Sequence, residues 1–208
     1  MTFSAGAAIG LFVAVLFMAI IRRHKVILAS ILAILLIAPL IMPKNLQDWA
    51  RKVNYNPIVF VCGPDRLTLY ATAANMIRQH PVIGIGVNTF SKNYGRYKLP
   101  DMEKYAPTPD RMYAHNNFLH MGAEVGLLGL GIFVWFLIML FSSGWHSYLR
   151  SESGFIKITA LSLIACIIAF LINGLTETSL YNQIGVVFWF MAGLLLCLNN
   201  FTEDKERL

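Results

Sequence analysis

Apolar residues fall in long blocks along this chain. Five blocks are long enough for membrane-spanning helices, which need roughly 17–25 residues: Phe3–Ile21, Val26–Met42, Gly122–Phe141, Ile156–Leu175 and Gln183–Leu198. Gly6 with Gly10, and Gly122 with Gly126, form small-xxx-small pairs that allow close helix packing, although glycine is common in such helices anyway. The stretch 43–121 between the second and third blocks is polar. Within it, Leu67, Tyr70, Ala71, Ala74 and Ile77 recur at helical spacing after Pro64-Asp65. Asp65 is the candidate N-cap, and Pro81 helps to stop the helix. This amphipathic helix is expected to lie on the membrane or to plug the outer face of the bundle. Gly84-Ile85-Gly86 reads as a tight turn that lets the backbone pass close to a neighbour. With no strand–helix unit around it, it is not a dinucleotide motif. Ser91–Pro109, rich in Tyr, Lys and Pro, is expected to be an irregular flap. Its Tyr94, Tyr97 and Tyr105 could stack on sugars or sit in an interfacial belt.

Composition turns this pattern into a class. The chain is 57% hydrophobic and only 13% charged, where a soluble domain carries about a quarter charged. The expected fold is all-α: a polytopic membrane helical bundle of about five transmembrane helices with a large, partly helical loop. Residues 1–42 hold two helices, 43–121 the loop, 122–200 three helices and 201–208 a tail. The charges Arg22, Arg23 and Lys25 follow the first apolar run instead of preceding it, so that run is a membrane helix and not a secretory signal. The short basic turn 22–25, Arg150 and Lys157 around the next short link, and Lys205 and Arg207 in the tail are expected on the cytoplasmic side. The N-terminus, the loop and the Lys/Arg-free link 176–182 are then outside. An exterior N-terminus leading directly into a spanning helix predicts a C-terminal part of something longer, or a truncated relative. Cys166 and Cys197 are expected to pack as small apolar residues, and Cys62 has no assigned role.

Net charge is +6 for the chain, and 43–121 alone carries ten Lys and Arg against five Asp and Glu. A basic surface outside a membrane suits a phosphate or diphosphate, or anionic lipid headgroups. Arg66 falls in the first turn of its helix, where a cation is poorly placed against the helix dipole, which favours a binding role for it. Arg78, at the opposite end, is better explained by the dipole. His115 precedes Asn116 and Asn117, either of which can cap the next helix. The positive end of a helix disfavours imidazolium, and a neutral imidazole can act as a general base; an interfacial histidine bonded to a loop carbonyl is the structural alternative. His120 and Glu124, four apart, are expected to pair. Glu124 is too far round the helix from His115 for a direct dyad. Glu177 is expected to make a structural salt bridge with a loop arginine. Transport is disfavoured, because the apolar blocks hold few ionisable groups.

The run Arg66-x3-Tyr70-x2-Ala73, then Met76-Ile77-Arg78-Gln79-His80-Pro81-Val82-Ile83-Gly84-Ile85-Gly86-Val87-Asn88-Thr89-Phe90, then Ala114-His115-Asn116-Asn117-Phe118-Leu119 and Glu124-Val125-Gly126-Leu127-Leu128-Gly129, resembles the O-antigen ligase family. Gly174-Leu175-Thr176-Glu177 extends the likeness across nearly the whole chain. The resemblance implies a multi-pass protein of the bacterial inner membrane with its active-site loop in the periplasm. It also implies glycan transfer from an undecaprenyl-diphosphate carrier to a hydroxyl acceptor such as lipid A-core, with inversion and without metal or other cofactor. Nucleic acid has no part in this chemistry; membrane lipids surround it. By position, His115 matches the family's loop histidine, the proposed base, and Arg66 matches an arginine that neutralises the diphosphate. Arg78, Asn116 and Glu124 are further candidates for holding substrate. Thr2-Phe3-Ser4-Ala5-Gly6 resembles a family Thr-x-Ser-Arg-Gly segment, with Ala5 in place of an arginine that also contacts diphosphate. A polymerase acting on the same carrier, or a non-catalytic membrane protein that binds lipid-linked glycan, remain open alternatives.

Overall fold

The computed structural model describes residues 4–37, 43–52, 64–99 and 112–206. The readings of Thr2, Phe3, Cys62, Tyr105 and Arg207, and of the side chains of Asp65 and Lys205, fall outside the described structure. Helices account for the regular structure of the described residues. We label them α1 (Ala5–Ile21), α2 (Lys25–Ile37), α3 (Lys44–Lys52), α4 (Pro64–Gln79), α5 (Phe90–Tyr97), α6 (Asn117–Arg150), α7 (Gly154–Asn173) and α8 (Gln183–Glu206), with a short 3-10 turn at Ser179–Tyr181.

Two of these, α6 and α7, are long and apolar enough to cross a membrane; α1, α2 and the apolar part of α8 are shorter. Their outer faces carry large apolar side chains in the open, including Leu11, Leu36, Trp135, Ile138, Phe155 and Phe190. Water tolerates single exposed apolar residues but not contiguous faces of this kind, so these surfaces suit lipid. Between α6, α7 and α8 lies a dry core of Phe133, Leu137, Leu140, Ala160, Ile164, Ile167, Phe170, Phe188, Ala192 and Leu195. Helix α1 lies against α7 through its two glycines: a Cβ on Gly6 would strike Thr176, and one on Gly10 would strike the carbonyl of Ala169. Cys166 and Cys197 are exposed and not packed in the core, because each falls on an outward face of its helix.

A second core sits over one end of this bundle. Leu69, Ala73 and Met76 of α4 close on Phe90, Tyr94 and Tyr97 of α5, on Met112 and Ala114, and on Ala123 of α6. The face of α4 that packs is thus Thr68, Leu69, Thr72, Ala73 and Met76, while Ala74 of the predicted stripe is exposed. Threonine can serve inside because Thr72 returns its hydroxyl to the Thr68 carbonyl at 2.8 Å, so a pattern read from apolar letters alone chooses the wrong face. The helix starts at Pro64, which puts Asp65 inside its first turn. The first part of the expected flap is also helical. In α5, Tyr94 and Tyr97 are buried, out of reach of any sugar. Tyr97 is tied to α4 through its hydroxyl, 2.7 Å from His80 Nε2, and its carbonyl, which accepts from Asn75.

Helix α6 has 34 residues and a break at Gly126, whose φ is +70. At about 1.5 Å per residue, the part after the break is about 36 Å long, enough to span a hydrocarbon core of about 30 Å. The turn Pro81–Gly86 is bonded across the break. Ile85 and Gly86 donate their N–H groups to the carbonyls of Ala123 and Glu124, and Leu127 and Leu128 donate theirs to Pro81 and Val82. The carbonyls of Ala123 and Glu124 and the N–H groups of Leu127 and Leu128 thus find partners across the kink. A Cβ on Gly126 would lie 2.2 Å from the Val82 oxygen, and one on Gly84 2.5 Å from the Glu124 backbone. The close backbone approach expected of the glycine turn is thus present. The pair Gly122 and Gly126 serves α4 and this turn, and not a second membrane helix: a Cβ on Gly122 would strike Ile77.

Candidate functional site

The site forms where the start of α6 meets the end of α7. Asn116 caps α6, its Oδ1 accepting from the N–H groups of Phe118 and Leu119 at 2.9 Å each. Asn117 begins the helix and is buried. Its backbone N–H donates to the Gly174 carbonyl at 2.7 Å, and its side chain bonds Ser179 Oγ and the Leu180 N–H. Gly174 must lack a side chain, since a Cβ there would sit 2.3 Å from Asn117 Nδ2. Asn116 Nδ2 donates to the Leu175 carbonyl at 2.9 Å. The Tyr70 hydroxyl lies 3.1 Å from the carbonyls of both His115 and Leu175. These bonds hold His115 at a φ of +46, a left-handed conformation that costs a non-glycine residue roughly 1–3 kcal/mol and persists only where its surroundings enforce it.

The result is a three-residue chain of charge. Arg66 Nη2 meets Glu177 Oε1 at 2.5 Å, and Arg66 Nη1 donates to the Thr176 carbonyl at 2.7 Å. The other carboxylate oxygen, Oε2, is 3.0 Å from His115 Nδ1. The Glu177 carboxyl is held below the usual carboxylate range, first by the hydrogen bond from His115 and also by the Arg66 charge, with burial opposing both. An ionised Glu177 accepts from Nδ1–H, which turns Nε2 away from the carboxylate. The side chains of Arg66, Glu177 and His115 are 27%, 31% and 39% exposed, so solutes reach all three. Glu177 thus makes the expected bridge to a loop arginine and a second one to His115 that spacing could not reveal, the two lying 62 positions apart.

Arg66 and Glu177 line a cleft of about 580 Å³ together with Ser4, Ala7, Asn182 and Ile184. Two helices begin on it. Ser4 caps α1 by accepting from the Ala7 N–H, and Asn182 caps α8 by accepting from the Ile184 N–H. Helix N-termini present partial positive charge and free N–H groups, so with Arg66 they favour an anion. Ala5 follows Ser4 at this rim and is exposed; it brings no charge to it.

The remaining candidates lie elsewhere. Arg78 is exposed near the far end of α4, about 18 Å along the axis from Arg66. Asn116 spends its side chain on the cap and on Leu175. Glu124 is 1% exposed and accepts from the N–H groups of Asn88 and Phe90 at 2.9 and 3.1 Å. With its expected partner His120 at 3.5 Å, it borders a separate cavity of about 220 Å³ beside Tyr113 and Lys92.

A helical protein with membrane-length apolar helices and an Arg–Glu–His cluster on an anion-friendly cleft is the class these features define. The sequence model of the O-antigen ligase family matches residues 1–134, and the chain belongs to that family. A protein of Rickettsia bellii (strain RML369-C) named "Putative polysaccharide ligase" is 33% identical over 104 residues. That stretch covers 48% of this chain and 23% of the relative, so the chain matches less than a quarter of that relative's length.

Proposed function

We propose that this chain forms the reaction centre of a bacterial inner-membrane glycosyltransferase that moves a glycan from undecaprenyl diphosphate to an acceptor hydroxyl such as that of lipid A-core. The observation that carries this reading is the contact of one carboxylate, Glu177, with both Arg66 and His115. Glu177 orients the imidazole as the carboxylate of a hydrolase triad does. His115 Nε2 takes the acceptor's proton while the acceptor oxygen attacks the anomeric carbon. The bond from that carbon to the diphosphate breaks, and its electron pair leaves with the diphosphate. Attack from the side opposite the leaving group inverts the centre. Arg66 and the starts of α1 and α8 stabilise the charge that develops on the diphosphate; the described bonds use two of the five guanidinium N–H donors. With Ala5 in the arginine position, this work falls on Arg66 and the backbone.

In this reading α1, α2 and α8 cross the membrane beside α6 and α7, making five spans. The basic turns face the cytoplasm, and the cleft faces the periplasm. The exposed apolar faces and the distribution of Lys and Arg support it. The test is transfer by the protein in detergent, given a fluorescent undecaprenyl-diphosphate oligosaccharide and lipid A-core. Transfer by the wild type that is lost in both His115→Ala and Arg66→Ala is expected; undiminished transfer in both variants sinks the mechanism. Tight donor binding with no turnover by the wild type favours the non-catalytic reading.

A further inference from the structure

We propose that His120 is a positioning residue for His115, acting through the backbone of Ala114; the inference rests on the transfer reading above. The Ala114 N–H points at His120 Nδ1, 3.3 Å away. Ala114 is fully buried and His120 is 1% exposed, so the bond lies inside the protein. Because Nδ1 accepts, the ring proton is on Nε2, which faces Glu124 Oε1 at 3.5 Å. Glu124 in turn is bonded to the backbone of the glycine-containing turn at Asn88 and Phe90. The imidazole also meets the ring of Tyr181 edge-on, with centroids 4.4 Å apart. Tyr181 belongs to the short link that carries Glu177. One buried ring therefore touches both segments that present the His115–Glu177 pair, and its nitrogen fixes the residue immediately before His115. Without that acceptor, the Ala114 N–H is left unpaired in the core, which segments avoid by moving.

Side-chain chemistry supplies the test. In His120→Asn the amide oxygen replaces Nδ1 as acceptor, whereas in His120→Gln it reaches only to the place of Nε2. Both variants of the full chain are assayed for transfer from a fluorescent undecaprenyl-diphosphate oligosaccharide to lipid A-core, and for hydrogen exchange at the Ala114 amide. His120→Asn should keep kcat within about twofold and leave Ala114 exchange unchanged; His120→Gln should lose about tenfold in kcat at unchanged KM and exchange Ala114 about tenfold faster. Equal behaviour of the two variants in both measurements overturns the proposal. So does faster exchange throughout Leu161–Ile167 in His120→Gln, which marks a fold-wide defect. If His115→Ala transfers as well as the wild type, the transfer reading is what fails, and the Ala114 exchange of the two His120 variants still decides whether His120 holds this backbone.

Discussion

Among the described residues, two histidine–glutamate pairs have their histidines five positions apart, and they are opposite in kind. His120 and Glu124 are four positions apart on one helix, almost wholly buried, and 3.5 Å from each other. His115 and Glu177 come from distant segments, are about a third exposed, and lie 3.0 Å apart with an arginine on the free side of the carboxylate. The first pair spends its polar atoms on the backbone of its own surroundings. The second leaves its imidazole partly exposed and sets its carboxylate, with Arg66, on a cleft. In the proposed reading the same two side chains build the frame in one place and offer chemistry in the other, and what separates them is access, not composition.

Removing the open pair should have the largest effect. His115→Ala, which takes away the proposed base, should lower kcat for glycan transfer by about 10²–10⁴-fold. Survival of full transfer would put the chemistry elsewhere. Glu177→Gln keeps the shape but frees the imidazole and leaves Arg66 without its counter-charge; a fall of about 10–10²-fold in kcat is expected. A loss confined to KM would instead make Glu177 a binding group. Glu124→Leu attacks the frame. It strips two backbone N–H groups of their acceptor and should lower the stability of the segment 84–90 by roughly 1–3 kcal/mol, read as faster hydrogen exchange at Asn88 and Phe90. Exchange that stays slow would mean that Glu124 is not what organises the turn. The smallest effect concerns pH. The Glu177 carboxyl is depressed in the folded protein, so the stability it contributes is fully present above its unfolded pKa and fades as pH falls through the lower folded value. The Glu177 share of the unfolding midpoint should therefore be lost only at or below the ordinary carboxylate range. In Glu177→Gln that part of the acid drop should be absent.

The two pairs were also unequally legible. His120–Glu124 could be read directly, because four positions on a helix is one turn, and the cap could be narrowed to Asn116 or Asn117, of which Asn116 serves. Arg66 stood out as a cation at the wrong end of a helix, and Glu177 as the sole charge of its link. Their meeting with His115 could not be read from either, since it depends on how α4 closes over the ends of α6 and α7. The buried face of α4 was misread for a related reason: Thr68 and Thr72 are buried as core residues, Thr72 returning its hydroxyl to the Thr68 carbonyl. Part of the supposed flap proved to be α5 because Phe90, Tyr94 and Tyr97 find a nonlocal core to bury in. Spacing reports what a segment can do alone; each of these features is decided by a partner far along the chain.

The break at Gly126 has a mechanical consequence. A kinked helix is normally a place to bend, yet here Pro81–Gly86 is bonded to both halves and acts as a splint across the joint. The membrane rod after the break and the short segment carrying His115's neighbours are therefore held as one stiff lever. A tilt of that rod with bilayer thickness would therefore be passed to the turn and to the first part of α6, and not absorbed at the kink.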